Sequence, residues 1–283
     1  MATIVKLIFL LILLGLYSCK ESDSERIVSF DDFDLHIKDN GTGKPTVIIE
    51  AGLGFGLMHY DTLQTLIPHF TRVISYDRPG LGNSTQSPNP RILPNYVNEL
   101  KQFLDHEKIK PPYILVGHSL GGLIIRYFTH MYPDHVAGLV FIDHPHEDWF
   151  EYIRTTHAAE DIIKFNKIFD PSLNQTTGII KEEWEQYEIN CELIKGIEIP
   201  SQIPVRMITA IKYGRNQESV GYHRDDMKVW ADMQASIIEN VQDAEQIITT
   251  KSGHSIHLTE PELVVNAIKE LVLIYRKGEV NNY

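Results

Sequence analysis

The chain has 283 residues, 43% of them hydrophobic and 10% aromatic, which suffices for one large core and is too apolar for a disordered polymer. Its formal net charge is −12. No broad cationic face is available to neutralise a phosphate backbone, so a nucleic-acid partner is not expected.

Residues 1–18 read as a signal peptide: Lys6 is their sole charged residue, and an apolar run from Leu7 to Leu16 is interrupted only by Gly15. A bilayer-spanning helix takes roughly 20 apolar residues, and this run ends sooner. It stops at Cys19, which opens a polar tether, residues 19–26. Leu16, Tyr17, Ser18 and Cys19 resemble the lipobox of bacterial lipoproteins. That resemblance implies cleavage before Cys19 and a lipid anchor on Cys19 that holds the chain to a membrane. Because Lys20 is not the aspartate of inner-membrane retention, it further implies an exported protein at the outer membrane or facing the periplasm. The alternative is an ordinary cleaved signal with an incidental cysteine. The other cysteine, Cys191, has no neighbouring His or Cys in sequence and reads as a small buried hydrophobe.

From Ile27 onward short β-rich runs alternate with helical stretches, the pattern of a parallel sheet wrapped by helices. The expected elements are a strand pair over residues 27–38, a strand 46–50, a helix 58–70, a strand 72–76, a helix 94–106, a strand 113–117, a helix 120–131 and a strand 138–143. Residues 147–200 break the rhythm with two amphipathic stretches, one carrying Ile162, Phe165 and Phe169, the other Trp184, Tyr187, Cys191 and Ile194. Alternation resumes with strand 205–211, helix 222–239, strand 246–250 and helix 260–276. One core, 27–146 with 201–283, interrupted by a helical cap at 147–200, accounts for this more economically than two sequential domains.

Gly117, His118, Ser119, Leu120 and Gly121 form a G-x-S-x-G elbow between an apolar strand (Tyr113 to Val116) and a buried helix (Leu123 to Phe128). A serine hydroxyl needs a base, and His254 is the leading candidate. It follows the last strand and a glycine, with His257 as runner-up. The base needs a carboxylate to fix its tautomer, and Asp143, directly at the end of strand 138–142, is preferred to Glu218. The oxyanion requires two backbone N–H donors: Leu120, after the nucleophile, and Leu53, in the glycine-rich loop Gly52 to Gly56.

Together with the run Tyr76 to Ser84 and the later Gly253, His254, Glu260 and Pro261, these segments resemble the α/β-hydrolase superfamily in its lipase, esterase and peptidase branch, from residue 27 to about 275. The resemblance implies the α/β-hydrolase fold: a mostly parallel central sheet flanked by helices, here with a helical cap inserted after the sixth strand. Two departures stand out. Ala51 replaces the usual histidine before the oxyanion glycine, and the usual acid after the seventh strand is missing.

Gly52, Gly54 and Gly56 with Asp77 sketch a dinucleotide site, but the third glycine comes one position early. His144, His146, Glu147 and Asp148 have metal-ligating atoms yet form a single local patch. Neither a cofactor nor a metal is expected. The expected activity is cleavage of a carboxylic ester or related acyl bond in a small-molecule acyl substrate through an acyl-enzyme on Ser119. The alternatives are an amidase or aminopeptidase, for which Glu182, Glu183, Glu185, Glu188 and Glu192 could bind an amino group, and a non-catalytic binding scaffold.

Overall fold

A computed structural model describes residues 24–170, 172–173 and 175–281, so the expected signal peptide and Cys19 lie outside the described residues. Eight strands form one sheet: β1 (Glu25–Ser29), β2 (Asp34–Asn40), β3 (Thr46–Glu50), β4 (Val73–Tyr76), β5 (Tyr113–His118), β6 (Val136–Ile142), β7 (Val205–Ala210) and β8 (Ala244–Thr249). Their order is β1-β2-β4-β3-β5-β6-β7-β8. Only β2 opposes its neighbours; from β4 across to β8 all pairs are parallel.

The helices are α1 (Asp61–Leu66), α2 (Leu93–His106), α3 (Leu120–Met131), α4 (Trp149–Thr156), α5 (Ala159–Phe169), α6 (Gly178–Glu185), α7 (Tyr187–Ile194), α8 (Arg215–Ser219), α9 (Asp226–Ile237), α10 (Ile256–Thr259) and α11 (Pro261–Asn281). They cover both faces of the sheet, which is why the central strands are apolar throughout rather than alternating. On one face Ile114, Val116, Val140 and Ile208 pack with Leu63 of α1 and Ile268 and Leu271 of α11. On the other, Leu115, Leu139 and Phe141 pack with Leu100 and Phe103 of α2 and Ile124 and Phe128 of α3. Each such side chain, fully buried, contributes about 1.5–3 kcal/mol.

Register decides where the chemistry lies. Glu50 pairs with Gly117, His118 with Ile142, and Ile142 with Ile208. The C-terminal ends of β3, β5, β6 and β7 are therefore level, and the loops leaving them meet on one edge, the usual place for a site in an open parallel sheet.

The expected layout differs in detail. The first strand pair turns at residues 30–33, and the expected helix 58–70 is broken into α1 flanked by 3₁₀ turns, the second of which carries Pro68, a residue without an N–H. Residues 147–200 hold four helices, α4 to α7, instead of two helical stretches. Asp143 lies just beyond β6 with φ 45°.

Candidate active site

Ser119 leaves β5 with φ 51° and ψ −119°, a backbone conformation that costs about 1–3 kcal/mol in a residue with a side chain. Its surroundings enforce it. Ser119 N–H donates to Ile142 O at 3.1 Å and Gly122 N–H to Ser119 O at 2.8 Å. A Cβ at Gly117 would lie 2.6 Å from Gly121 O, and one at Gly121 would lie 2.2 Å from Glu50 O. Glycine at both positions lets strand, turn and helix approach closely enough to hold the serine above the sheet edge.

His254 Nδ1 is 2.7 Å from Asp143 Oδ2. The other carboxylate oxygen, Oδ1, accepts from Ala210 N–H at 3.0 Å, Trp230 Nε1–H at 2.8 Å and Gln234 Nε2 at 3.2 Å. One oxygen is thus anchored by three donors while the other is aimed at the imidazole. With Nδ1–H donating to Asp143, Nε2 is the nitrogen left to act as base. Ser119, Asp143 and His254 line a common cavity. Among the described residues Ser119 Oγ has no hydrogen-bond partner; such nucleophile–base pairs are often loose until substrate arrives. Glu218 lies in the exposed helix α8 and makes no bond to His254.

In the loop after β3, Gly52 N–H donates to Tyr60 Oη at 3.1 Å and Gly54 N–H to Glu183 Oε2 at 2.7 Å. Among the described residues the N–H between them, that of Leu53, has no acceptor. Leu120 opens α3, so its N–H has no acceptor inside the helix either. Leu53 lines the cavity, and Leu120 directly follows Ser119, which lines it too; free donors of this kind are what an oxyanion requires.

A family model described as the alpha/beta hydrolase fold matches residues 45–160, from β3 into α5. The structure superposes on alpha/beta hydrolase domain-containing protein 10 from mouse with a TM-score of 0.61 at 17% identity, covering 88% of this chain and 98% of that one. A thermophilic esterase from Thermogutta terrifontis gives 0.56 at 16% identity, over 87% of this chain and 97% of that one. The chain has the α/β-hydrolase fold. In sequence it is also similar to the uncharacterized protein YqjL of Bacillus subtilis, 24% identical over 89% of this chain and 93% of the relative.

Within this α/β-hydrolase scaffold, several residues that hold the site escaped the sequence reading. Arg78, 1% exposed, donates to Ala51 O at 2.6 Å, to Gly52 O at 2.7 Å and to Glu50 Oε1 at 3.0 Å, and pairs with both oxygens of Glu183. Burial works against its charge, but the facing Glu183 and Glu50 carboxylates outweigh burial and hold it protonated. Glu183, one of the acidic residues offered for amine binding, is fully buried and ties α6 to the loop after β3. Glu183→Gln should lower kcat by up to about a hundredfold with little change in KM, because a misplaced oxyanion donor costs transition-state rather than ground-state binding. Ester kinetics checks this. A change in KM alone would contradict it.

His118 links the same loop to His254. Its Nε2 is 3.1 Å from His254 O and its Nδ1 3.2 Å from Tyr60 Oη, which itself accepts from Gly52 N–H. Only the tautomer protonated on Nε2 satisfies both contacts. Burial, reinforced by His254 and His257, keeps His118 neutral. His257, the runner-up base, stacks 4.6 Å from the Tyr60 ring and meets the His118 ring edge-on at 4.6 Å, and among the described residues neither of its nitrogens has a partner. Burial pushes it down to about 3.

His144 lies under the elbow with Nδ1 3.3 Å from Ser119 O and is also kept neutral, chiefly by burial. In the patch of residues 144–148, Glu147 is engaged by Arg126 at 2.8 Å. Asp77 accepts from Leu57 N–H and Asn83 N–H and contacts His36, which makes it a loop anchor and not a ribose ligand.

The buried neutral histidines make stability depend on acidity. The unfolded chain takes up protons as pH falls below the ordinary histidine value of 6.5, whereas folded His257 does so only near 3. Stability from His257 is complete above pH 6.5 and is lost as pH falls toward 3, by up to about 1.4 kcal/mol per pH unit. Thermal melts from pH 7.5 to 4.5 should slope downward on the acid side, and less steeply for His257→Phe. Equal slopes would contradict the assignment.

Proposed function

We propose that the chain is a serine hydrolase that cleaves a carboxylic ester through an acyl-enzyme on Ser119. The observation that carries this reading is the meeting of the strained Ser119 elbow, the anchored Asp143–His254 pair and two unengaged backbone N–H groups at one cavity. In the proposed cycle His254 Nε2 takes the Ser119 proton as Oγ attacks the ester carbonyl carbon. Leu53 and Leu120 hold the oxyanion. The tetrahedral intermediate collapses, the C–O bond to the alcohol breaks, and His254 returns the proton to the leaving oxygen. Water then adds to the acyl-enzyme with His254 again as base and releases the carboxylic acid and free Ser119.

The cavity, about 330 Å³, is walled by Trp149, Phe150, Phe169, Trp184, Tyr187 and Trp230, which suits an apolar acyl or aryl group. The acidic residues that suggested amine recognition are used elsewhere: Glu183 holds Arg78, Glu188 pairs with Arg154 and Glu192 with Lys195. None of them lines the cavity, which favours ester over aminopeptidase chemistry. With nitrophenyl esters of increasing acyl length, kcat/KM should rise about threefold to fourfold per methylene until the cavity is filled, the worth of one buried CH₂. Turnover of aminoacyl anilides without turnover of any ester would replace this reading by the amidase one.

We also propose export and membrane attachment through a lipid on Cys19, a reading that rests on the lipobox-like run before it. Mass spectrometry of the full chain from bacterial membranes should find diacylglycerol on Cys19; a released, unmodified protein would contradict it.

A further inference from the structure

Outside the catalytic groups, His157, His223 and Asp226 converge where the inserted helices meet the core, with one ligating atom of each within 4.8 Å of the others. His157 follows α4, and His223 and Asp226 flank the entry to α9. His157 Nε2 is 2.8 Å from Asp226 Oδ2, and the two imidazole rings are 4.6 Å apart. Both the His157 and Asp226 side chains are 3% exposed.

The hydrogens around His157 leave its contact with Asp226 short of one donor. The single hydroxyl proton of Thr156 goes to Tyr152 O at 2.6 Å, so Thr156 Oγ1, 3.0 Å from His157 Nδ1, serves as an acceptor there. That places a hydrogen on Nδ1. A neutral His157 then turns its Nε2 lone pair toward a carboxylate oxygen 2.8 Å away, two acceptors face to face. A second proton on the ring or a metal ion between the two groups resolves the conflict. Lys164 neutralises Asp161 but no Lys or Arg reaches Asp226 among the described residues.

We propose that His157, His223 and Asp226 form a structural site for a divalent ion of the Zn²⁺ type. Two imidazoles and a carboxylate are ligands such ions favour. The orienting contacts of such a site are also in place. Thr156 fixes the His157 tautomer, Tyr152 Oη–H donates to Asp226 Oδ1 at 2.8 Å, and Asp161 Oδ2 is 3.0 Å from His223 Nε2. Tetrahedral zinc bonds of about 2.0–2.2 Å put ligand atoms roughly 3.3 Å apart, so His157 and Asp226 separate slightly and His223 moves in. His223 has room to move, being 56% exposed, and solvent can supply a fourth ligand.

The site lies directly behind the cavity wall. Tyr222, next to His223, lines the cavity and accepts from Trp149 Nε1–H at 3.1 Å, and Trp149 begins the helix that ends at His157. An ion here clasps α4 to the core beside these two aromatic walls.

The test is calorimetric titration of untagged, chelator-treated full chain with ZnCl₂, with thermal melts alongside. One ion should bind per chain, and Tm should rise by about 4 °C or more at a hundredfold excess over Kd. His223→Asn, at the exposed ligand, and His157→Asn should each weaken binding at least tenfold, whereas His254→Asn should leave it unchanged. Absence of stoichiometric binding overturns the proposal. So does binding that survives both His157→Asn and His223→Asn, or that is lost in His254→Asn, which would place the ion at the catalytic histidine.

Discussion

Ser119→Ala is expected to lower kcat about a millionfold while leaving the fold intact. The asymmetry follows from what the hydroxyl does and does not touch. Among the described residues Ser119 Oγ has no hydrogen-bond partner, and alanine keeps the same Cβ on the same strained backbone. Its removal leaves no buried group unsatisfied, so the change in stability should stay within about 0.5 kcal/mol. The proposed acyl-enzyme route disappears with the nucleophile, and only the proposed oxyanion donors and binding remain, worth about 10³–10⁴ over water. Paired ester kinetics and thermal melts check both halves. A variant that retains wild-type turnover would remove Ser119 from the mechanism.

Asp143→Asn is the second large effect, about ten-thousandfold in kcat, the order seen when such an acid is made neutral without moving it. Three donors converge on Asp143 Oδ1, and asparagine can satisfy them only by placing its carbonyl oxygen there. Its NH₂ is then directed at His254 Nδ1, 2.7 Å from the present Oδ2. Nδ1 must become an acceptor, the ring proton moves to Nε2, and the base faces Ser119 with its lone pair already occupied. Glu218→Gln should change kcat less than twofold, because Glu218 is exposed and makes no contact with His254. The reverse ranking would move the orienting role to Glu218.

The sheet was readable in the sequence because its central strands are buried on both faces and appear as unbroken apolar runs such as Tyr113 to Val116. Ser119, Asp143 and His254 could be named as candidates because each follows the end of a strand, where only one edge of the sheet is available. The supports were invisible for a physical reason. Glu183 sits among Glu182, Glu185 and Glu188, a run that ordinarily faces water, and it is buried only because Arg78, 105 positions earlier, meets it. Trp230 and Gln234 fall one turn apart in the expected helix 222–239, but that they donate to Asp143 depends on how α9 docks. The inserted helices were misdivided because their apolar residues pack on one another and on the core, with Phe150 against Phe165, Phe169 and Tyr187, so that no single periodic stripe marks their ends.

Reaction of the full chain with a fluorophosphonate, followed by peptide mapping, decides whether Ser119 is an activated nucleophile. One phosphonylated residue, Ser119, is expected, with loss of ester turnover in proportion to labelling and no labelling of Asp143→Asn on the same timescale. A folded protein that neither labels nor turns over esters would contradict it and leave the cavity as a binding site.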